Sequence, residues 1–235
     1  MQPSPSTWRI VTWNIHGSHQ RHLGDVADVI ASFSPDGVAL QEVQRHQALE
    51  IARRLGWRVE WARKHYPLRP PSPWRAEGLA ILSPHPLTNP FRRSISPRVH
   101  VATYRHRIVQ AATVISPHGA LRLVNTHLAT DSADTRIAQA HAIAQTLGHT
   151  SVPTVLAGDL NSPDEPAVLR EFRAVGLIDP GGDHTSPSVR PRQRIDYVLV
   201  PESAHATHIA SPDGGQRWHE LSDHLPAVAE FRFND

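Results

Sequence analysis

Trp8-Arg9-Ile10-Val11-Thr12-Trp13-Asn14 alternates in polarity, Leu23 to Phe33 follows it, and Gly37-Val38-Ala39-Leu40-Gln41-Glu42 comes next. The alternation of the first segment predicts a strand. The second places Val26, Val29, Ile30 and Phe33 at helical spacing, and the third is a short apolar run that reads as a second strand. A strand, a helix and a strand in this order form a crossover between parallel strands, and 28 residues from Asn14 to Glu42 is a natural length for one. Both polar residues then lie at the carboxyl edge of one sheet, and the fold class is α/β.

Outward from this unit the same logic repeats. A helix is predicted over His46 to Leu55, and strands over Arg58 to Ala62 and Gly78 to Leu82. Val99 to Tyr104, Ile108 to Ile115 and Leu121 to Asn125 read as antiparallel strands, with Pro117-His118-Gly119 as a turn between the last two. Asp131 to Leu147 is a helix with Asp131 or Ser132 as its N-cap, and Pro166 to Val175 is another. Strands at Pro153 to Ala157, Ile195 to Val200 and Ala227 to Phe233 complete the pattern, while Lys64 to Arg75 is too rich in proline for a regular element. Residues 1–235 are expected to form one domain, with 1–7 as a flexible tail.

Composition narrows the chemistry. The chain has no cysteine, which excludes disulfides, thiolate-ligated zinc and thiol catalysis. Its start lacks the apolar run of a secretory signal, and no stretch reaches membrane-spanning length, so a soluble, cytoplasmic protein, monomeric by default, is expected. An isoelectric point near 9.5 accompanies a net charge of only +2, because Lys64 is the sole lysine and little titrates between pH 8 and 10. The basic charge is uneven, however. Arg92, Arg93, Arg98, Arg105 and Arg107 group with His100 and His106, and Arg190, Arg192 and Arg194 precede Asp196. Solvated surface and phosphate contacts flanking a site both account for such clusters.

The chemistry sits in six short polar motifs: Thr12-Trp13-Asn14, Gln41-Glu42, Asn125-Thr126-His127, Gly158-Asp159-Leu160-Asn161, Arg194-Ile195-Asp196-Tyr197 and Ser222-Asp223-His224. Asn14, Glu42, His127 and Asp159 follow their strands, whereas Asp196 and His224 stand at or before the start of theirs. All six reach one edge if the last two strands run antiparallel to the others. Glu42 is either solvated or an oxygen ligand for Mg²⁺, and Asn14 is a turn residue, a second ligand or a phosphate contact. Asp159 and Asn161 make an ordinary turn, or else they hold an attacking water and a phosphoryl oxygen. Asp196 with His224 reads as a carboxylate-oriented imidazole whose cationic form would offset developing charge, and His127 could donate to the same oxygens.

These motifs, in this order from Thr12 to Leu225, resemble the endonuclease/exonuclease/phosphatase superfamily with its deoxyribonuclease I-like fold, and Glu77 to Ser83 resembles a core strand of that family. The resemblance implies a four-layer α/β/β/α sandwich of two mixed sheets flanked by helices. It implies a Mg²⁺- or Mn²⁺-dependent phosphoesterase with Glu42 and Asn14 at the metal and Asp223 at or beside it. His127, Asn161 and His224 would contact phosphate, Asp159 would hold the nucleophilic water, and Asp196 would orient His224. Arg92, Arg93, Arg192 and Arg194 are candidate substrate contacts. One departure is His16, where several subfamilies carry Asp two positions after the motif Asn. It weakens the case for two metals and for a close match to abasic-site endonucleases.

Nucleic acid is the expected substrate. A small or lipid-linked phosphoester, such as an inositol phosphate, a nucleotide or a sphingomyelin-like head group, is the alternative. A non-catalytic binding module on the same fold is a remote third.

Overall fold

The computed structural model describes residues 7–19, 22–64, 76–96, 106–147, 151–163 and 166–233. In chain order the elements are β1 (Thr7–Asn14), α1 (Leu23–Ser32), β2 (Gly37–Gln44), α2 (Arg45–Leu55), β3 (Arg58–Arg63), β4 (Glu77–Ser83), β5 (Leu87–Ser94), β6 (Ile108–Ser116), β7 (Gly119–His127), α3 (Ala133–Leu147), β8 (Thr154–Asp159), α4 (Pro166–Arg173), β9 (Leu177–Ile178), β10 (Asp196–Pro201), β11 (Ala204–Ile209), α5 (Gln216–Leu221) and β12 (Ala227–Phe233). The strand expected at Val99 to Tyr104, nearly all of the proline-rich loop after Lys64 and most of the N-terminal tail lie outside the described residues.

Two six-stranded mixed sheets carry the fold, in the orders β11-β12-β1-β2-β4-β3 and β5-β6-β7-β8-β10-β9. Alternation along the strands assigns the faces. Trp8, Ile10, Ala39 and Ile81 of the first sheet pack on Ala112, Val114, Leu123, Val155 and Ala157 of the second. The opposite face of the first sheet, with Val11, Trp13, Val38 and Leu40, is covered by Val26 and Ile30 of α1 and Ile51 of α2. The outer face of the second, with Val109, Ala111, Val124 and Leu156, is covered by Ile143 of α3 and by Val168 and Phe172 of α4. The result is the expected four-layer α/β/β/α sandwich. Each fully buried aliphatic side chain in these three cores contributes about 1.5–3 kcal/mol.

The strand directions are those the motifs require. β1 runs parallel to β2, and β7 parallel to β8, while β12 is antiparallel to β1 and β10 antiparallel to β8. One local reading changes. Glu42 does not follow its strand but lies within β2, at an irregularity between Leu40 and Val43 in the pairing with β4. Ser132 rather than Asp131 caps α3, its Oγ accepting the Thr135 N–H at 3.1 Å. Among the described residues no helix is long and apolar enough to cross a membrane.

Candidate active site

In the second sheet, pairing register sets His127, Asp159 and Asp196 side by side: His127 is level with Asp159, and Asp159 with Asp196. From the first sheet, Asn14 reaches across and its Nδ2 donates to Asp159 Oδ2 at 3.1 Å. The sheets are also joined below the site, where Gln41 Nε2 donates to Asn125 Oδ1 at 2.9 Å and Asn125 Nδ2 donates to the Leu40 and Ala80 carbonyls at 3.0 Å. These two amides, present in the motifs but given no role from the sequence, hold the opposing halves of the site in register.

Asp159 sits at the centre, 1 % exposed. The Asn161 N–H donates to its Oδ1 at 2.9 Å, His127 Nε2 lies 3.5 Å from its Oδ2 and His224 Nε2 lies 3.9 Å from it. Asn161 is itself fixed, its Nδ2 donating to the Leu128 carbonyl at 3.0 Å. His224 Nδ1 lies 2.9 Å from Asp196 Oδ2, and Thr185 Oγ1 donates to that same carboxylate oxygen. The backbone of His224 is pinned as well: Trp13 Nε1 donates to its carbonyl at 2.9 Å and its N–H donates to Ser222 Oγ, which in turn donates to the Asn14 carbonyl.

This arrangement separates the proton affinities of base and acid. Burial raises the Asp159 carboxyl to about 6, the Asp196 charge adds to the effect, and the nearby His224 opposes it. Burial disfavours charge on His224, but the charge and hydrogen bond of Asp196 outweigh it and raise the imidazole to about 10. Near neutral pH a carboxylate therefore lies 3.9 Å from an imidazolium, with His127 and the Asn161 N–H beside the same carboxylate. A water there can give its proton to Asp159 while His224 donates to a phosphoryl oxygen.

Glu42 lies on the other side of His127, its Oε1 3.9 Å from His127 Nδ1. Its carboxylate accepts no hydrogen bond from any described residue, and its backbone is held at φ 52, a left-handed value unfavourable for glutamate. His16 and Asn161 take φ 48, so three of the five non-glycine residues with positive φ among the described residues stand at this edge. The Gly17 N–H donates to the Glu42 carbonyl at 2.9 Å, and a Cβ on Gly17 would meet that oxygen at 2.1 Å, so only glycine allows the approach. Asn14 Oδ1 accepts the His16 N–H at 3.1 Å and keeps a second lone pair. Asp223 Oδ1 lies 3.4 Å from His16 Nδ1. An open carboxylate, an amide oxygen and a half-exposed Asp form an oxygen set that suits Mg²⁺ or Mn²⁺. Asp159, Asp196 and His224 form a tighter group, all with donor atoms within 4.8 Å of one another. A cation there would compete with the proton that joins His224 to Asp196, so this trio is better suited to proton transfer.

The arginines divide. Arg92 and Arg93 are exposed on β5, whose Ser94 end pairs with Ile108 at the site edge. Arg192 is exposed on the loop before β10. Arg194 has a structural use: Nη1 and Nη2 donate to Asp179 at 2.6 and 2.5 Å, Nη2 also reaches the Gly181 carbonyl, and the guanidinium lies over the Tyr197 ring. Arg98, Arg105 and His100 lie outside the described residues. Thr185 and Lys64 were not singled out as site residues from the sequence, and Arg107 appeared there only as one member of a basic cluster. Their placement depends on strands far apart in the chain, and no local motif marks Thr185 or Lys64.

Residues 11–224 match the sequence profile of the Endonuclease/Exonuclease/phosphatase family. The chain belongs to this family. Its members hydrolyse phosphoester bonds with divalent metals, so the chain is a metal-dependent phosphoesterase. Among solved structures, a family protein from Bacteroides vulgatus superposes with TM-score 0.80 at 17% identity, over 97% of this chain and all (100%) of that one. One from Beutenbergia cavernae DSM 12333 gives 0.75 at 23% identity, over 97% of this chain and 72% of the other. A mannosyl-6-phosphatase from Bacteroides thetaiotaomicron VPI-5482 gives 0.76 at 15% identity, over 96% and 100%. At these identities the likeness is one of fold. Among curated proteins none matches the chain by sequence.

Proposed function

We propose that the chain is a Mg²⁺- or Mn²⁺-dependent phosphodiesterase that hydrolyses nucleic-acid phosphodiester bonds by in-line attack of water. The observation that carries the reading is Asp159, buried between His127 and His224, with His224 held 2.9 Å from Asp196. Asp159 takes the proton of the attacking water. Asn161 and His127 position the phosphoryl oxygens, and His224, kept cationic by Asp196, neutralises charge as the leaving oxygen departs. Glu42, Asn14 and Asp223 would hold the metal, which when bound supplies Lewis-acid polarisation of the phosphate. The exposed Arg92 and Arg93 supply positive charge along the edge that leads to the site. The protein is proposed to act as a monomer.

A second reading, hydrolysis of a small phosphoester, draws support from the low net charge of +2, from the engagement of Arg194 with Asp179 and from the fold likeness to a mannosyl-6-phosphatase. A panel of single- and double-stranded DNA, RNA, sugar phosphates and nucleotides, each with Mg²⁺ and Mn²⁺, separates the two. Cleavage of nucleic acid that weakens in Arg92→Glu with Arg93→Glu, with a flatter salt dependence, is the expected result. Turnover of small esters alone, unchanged in that variant, would replace the nuclease reading with the second.

A further inference from the structure

On one flank of the sandwich β3 ends the first sheet and β5 ends the second. A cleft of about 370 Å³ opens between them, with Glu60, Phe91, Arg92 and Gln110 among its lining residues. That volume lies in the range of small-ligand sites. Gln110 Nε2 donates to the Glu60 carbonyl at 2.9 Å and so ties β6 to β3 across the seam. Gln110 is only 3 % exposed, yet its Oε1 is buried without a hydrogen-bond partner. A buried amide oxygen in this state costs free energy that a donor arriving with a ligand would recover.

The charged groups of the cleft are uncommitted too. Arg194 is paired with Asp179 and Arg9 with Glu230, but neither Glu60 nor Arg92 forms an ion pair with a described residue. Arg92 is level with Gln110 in the pairing of β5 with β6, so guanidinium and amide stand on the same side of the sheet. Phe91, 37 % exposed, adds a ring to the lining, and the Arg122 guanidinium lies 5.7 Å from its centroid. The cleft is separate from the reacting centre but near it. Gln110 is level with Asn125, which precedes His127 by about 7 Å along β7.

We propose that this cleft receives a guanine base of the substrate strand, on a nucleotide flanking the phosphate that is cleaved. Two acceptors, Gln110 Oε1 and the Glu60 carboxylate, call for a base edge with two adjacent donors, and guanine presents them in N1–H and N2–H₂. Its O6 suits the Arg92 guanidinium. Adenine and cytosine offer a single amino group, and thymine a single imide N–H. Phe91 supplies a ring on which the base can stack. This inference rests on the nucleic-acid reading of the active site and gives that reading a sequence preference.

The test is fluorescence anisotropy of labelled hexathymidylate, and of hexathymidylates carrying one guanine at each position in turn, in EDTA so that no strand is cut. Wild type, Glu60→Gln and Gln110→Met are compared, with the melting temperature of each. Guanine at one position is expected to tighten binding to the wild type about tenfold or more, and both variants are expected to lose that gain. Adenine or cytosine at the same position should give no such gain. Glu60 is half-buried and its side chain makes no ion pair with a described residue, so Glu60→Gln decides the matter even if Gln110→Met fails to fold. Equal binding of all strands by the wild type, or a guanine gain retained in Glu60→Gln, overturns the pocket. The same strands are then incubated with Mg²⁺ or Mn²⁺. Guanine-dependent binding without cleavage supports the pocket and defeats the nuclease reading, whereas cleavage without guanine-dependent binding keeps that reading and overturns the pocket.

Discussion

In the mechanism we propose, Asp159 and His224 divide the work of base and acid, because their surroundings move both proton affinities upward from different starting points. Asp159 accepts a proton only when ionised, so activity should climb as pH passes about 6. His224 acts only when protonated, so activity should fall as pH passes about 10. The profile of kcat/KM on a diester at saturating metal checks this. A profile flat through pH 6, or one that declines already near 7, contradicts the assignment. The same sign governs stability: the folded state binds the His224 proton more tightly than the unfolded chain. The contribution of the Asp196 pair is therefore complete below about 6.5 and is lost as pH rises through about 10. The residue types at this site could be read from the sequence. Their backbone strain could not, because φ values of 52 at Glu42 and 48 at Asn161 reflect tertiary constraint rather than local preference.

At the scale of elements, the strands and helices with clear periodicity were legible, and those without it were not. β5 was missed because its residues Thr88 to Ser94 are exposed, include Pro90 and show no apolar alternation; backbone pairing to β6 at the sheet edge holds it. β11 is another edge strand, with exposed His205 and His208, and α5 has six residues, too few for a period to show. The loop from Pro180 to Gln193 also had no readable shape. It is tied to the last motif, with the Ser188 N–H donating to the Asp223 carbonyl and the Leu225 N–H to the Thr185 carbonyl. Two substitutions separate site elements from supporting ones. Gly17→Ala should displace the bulge that carries Glu42 and raise the metal concentration needed for activity. Phe172→Ala should destabilise the fold by about 3–5 kcal/mol through the α4 core while leaving the metal requirement unchanged. Denaturant unfolding and metal titration of both variants give the comparison. Equal metal requirements in Gly17→Ala and wild type would remove the loop from the site.

For the whole molecule, sequence and structure agree because each motif is attached to a strand whose direction is set by topology. The antiparallel entry of β10 and β12 brings Asp196 and His224 to the edge where β1, β2, β7 and β8 end. That much followed from the order of the motifs. The cross-sheet amide links and the cleft between β3 and β5 did not, since each depends on how two sheets stack. The central claim is that Asp159 and His224, at that shared edge, perform phosphodiester hydrolysis. The direct measurement is the turnover of bis-(p-nitrophenyl) phosphate with Mg²⁺ or Mn²⁺ by wild type, Asp159→Asn and His224→Ala, each shown by circular dichroism to be folded. The account predicts a fall of about two or more orders of magnitude in both variants. Near-normal turnover in both folded variants would contradict it.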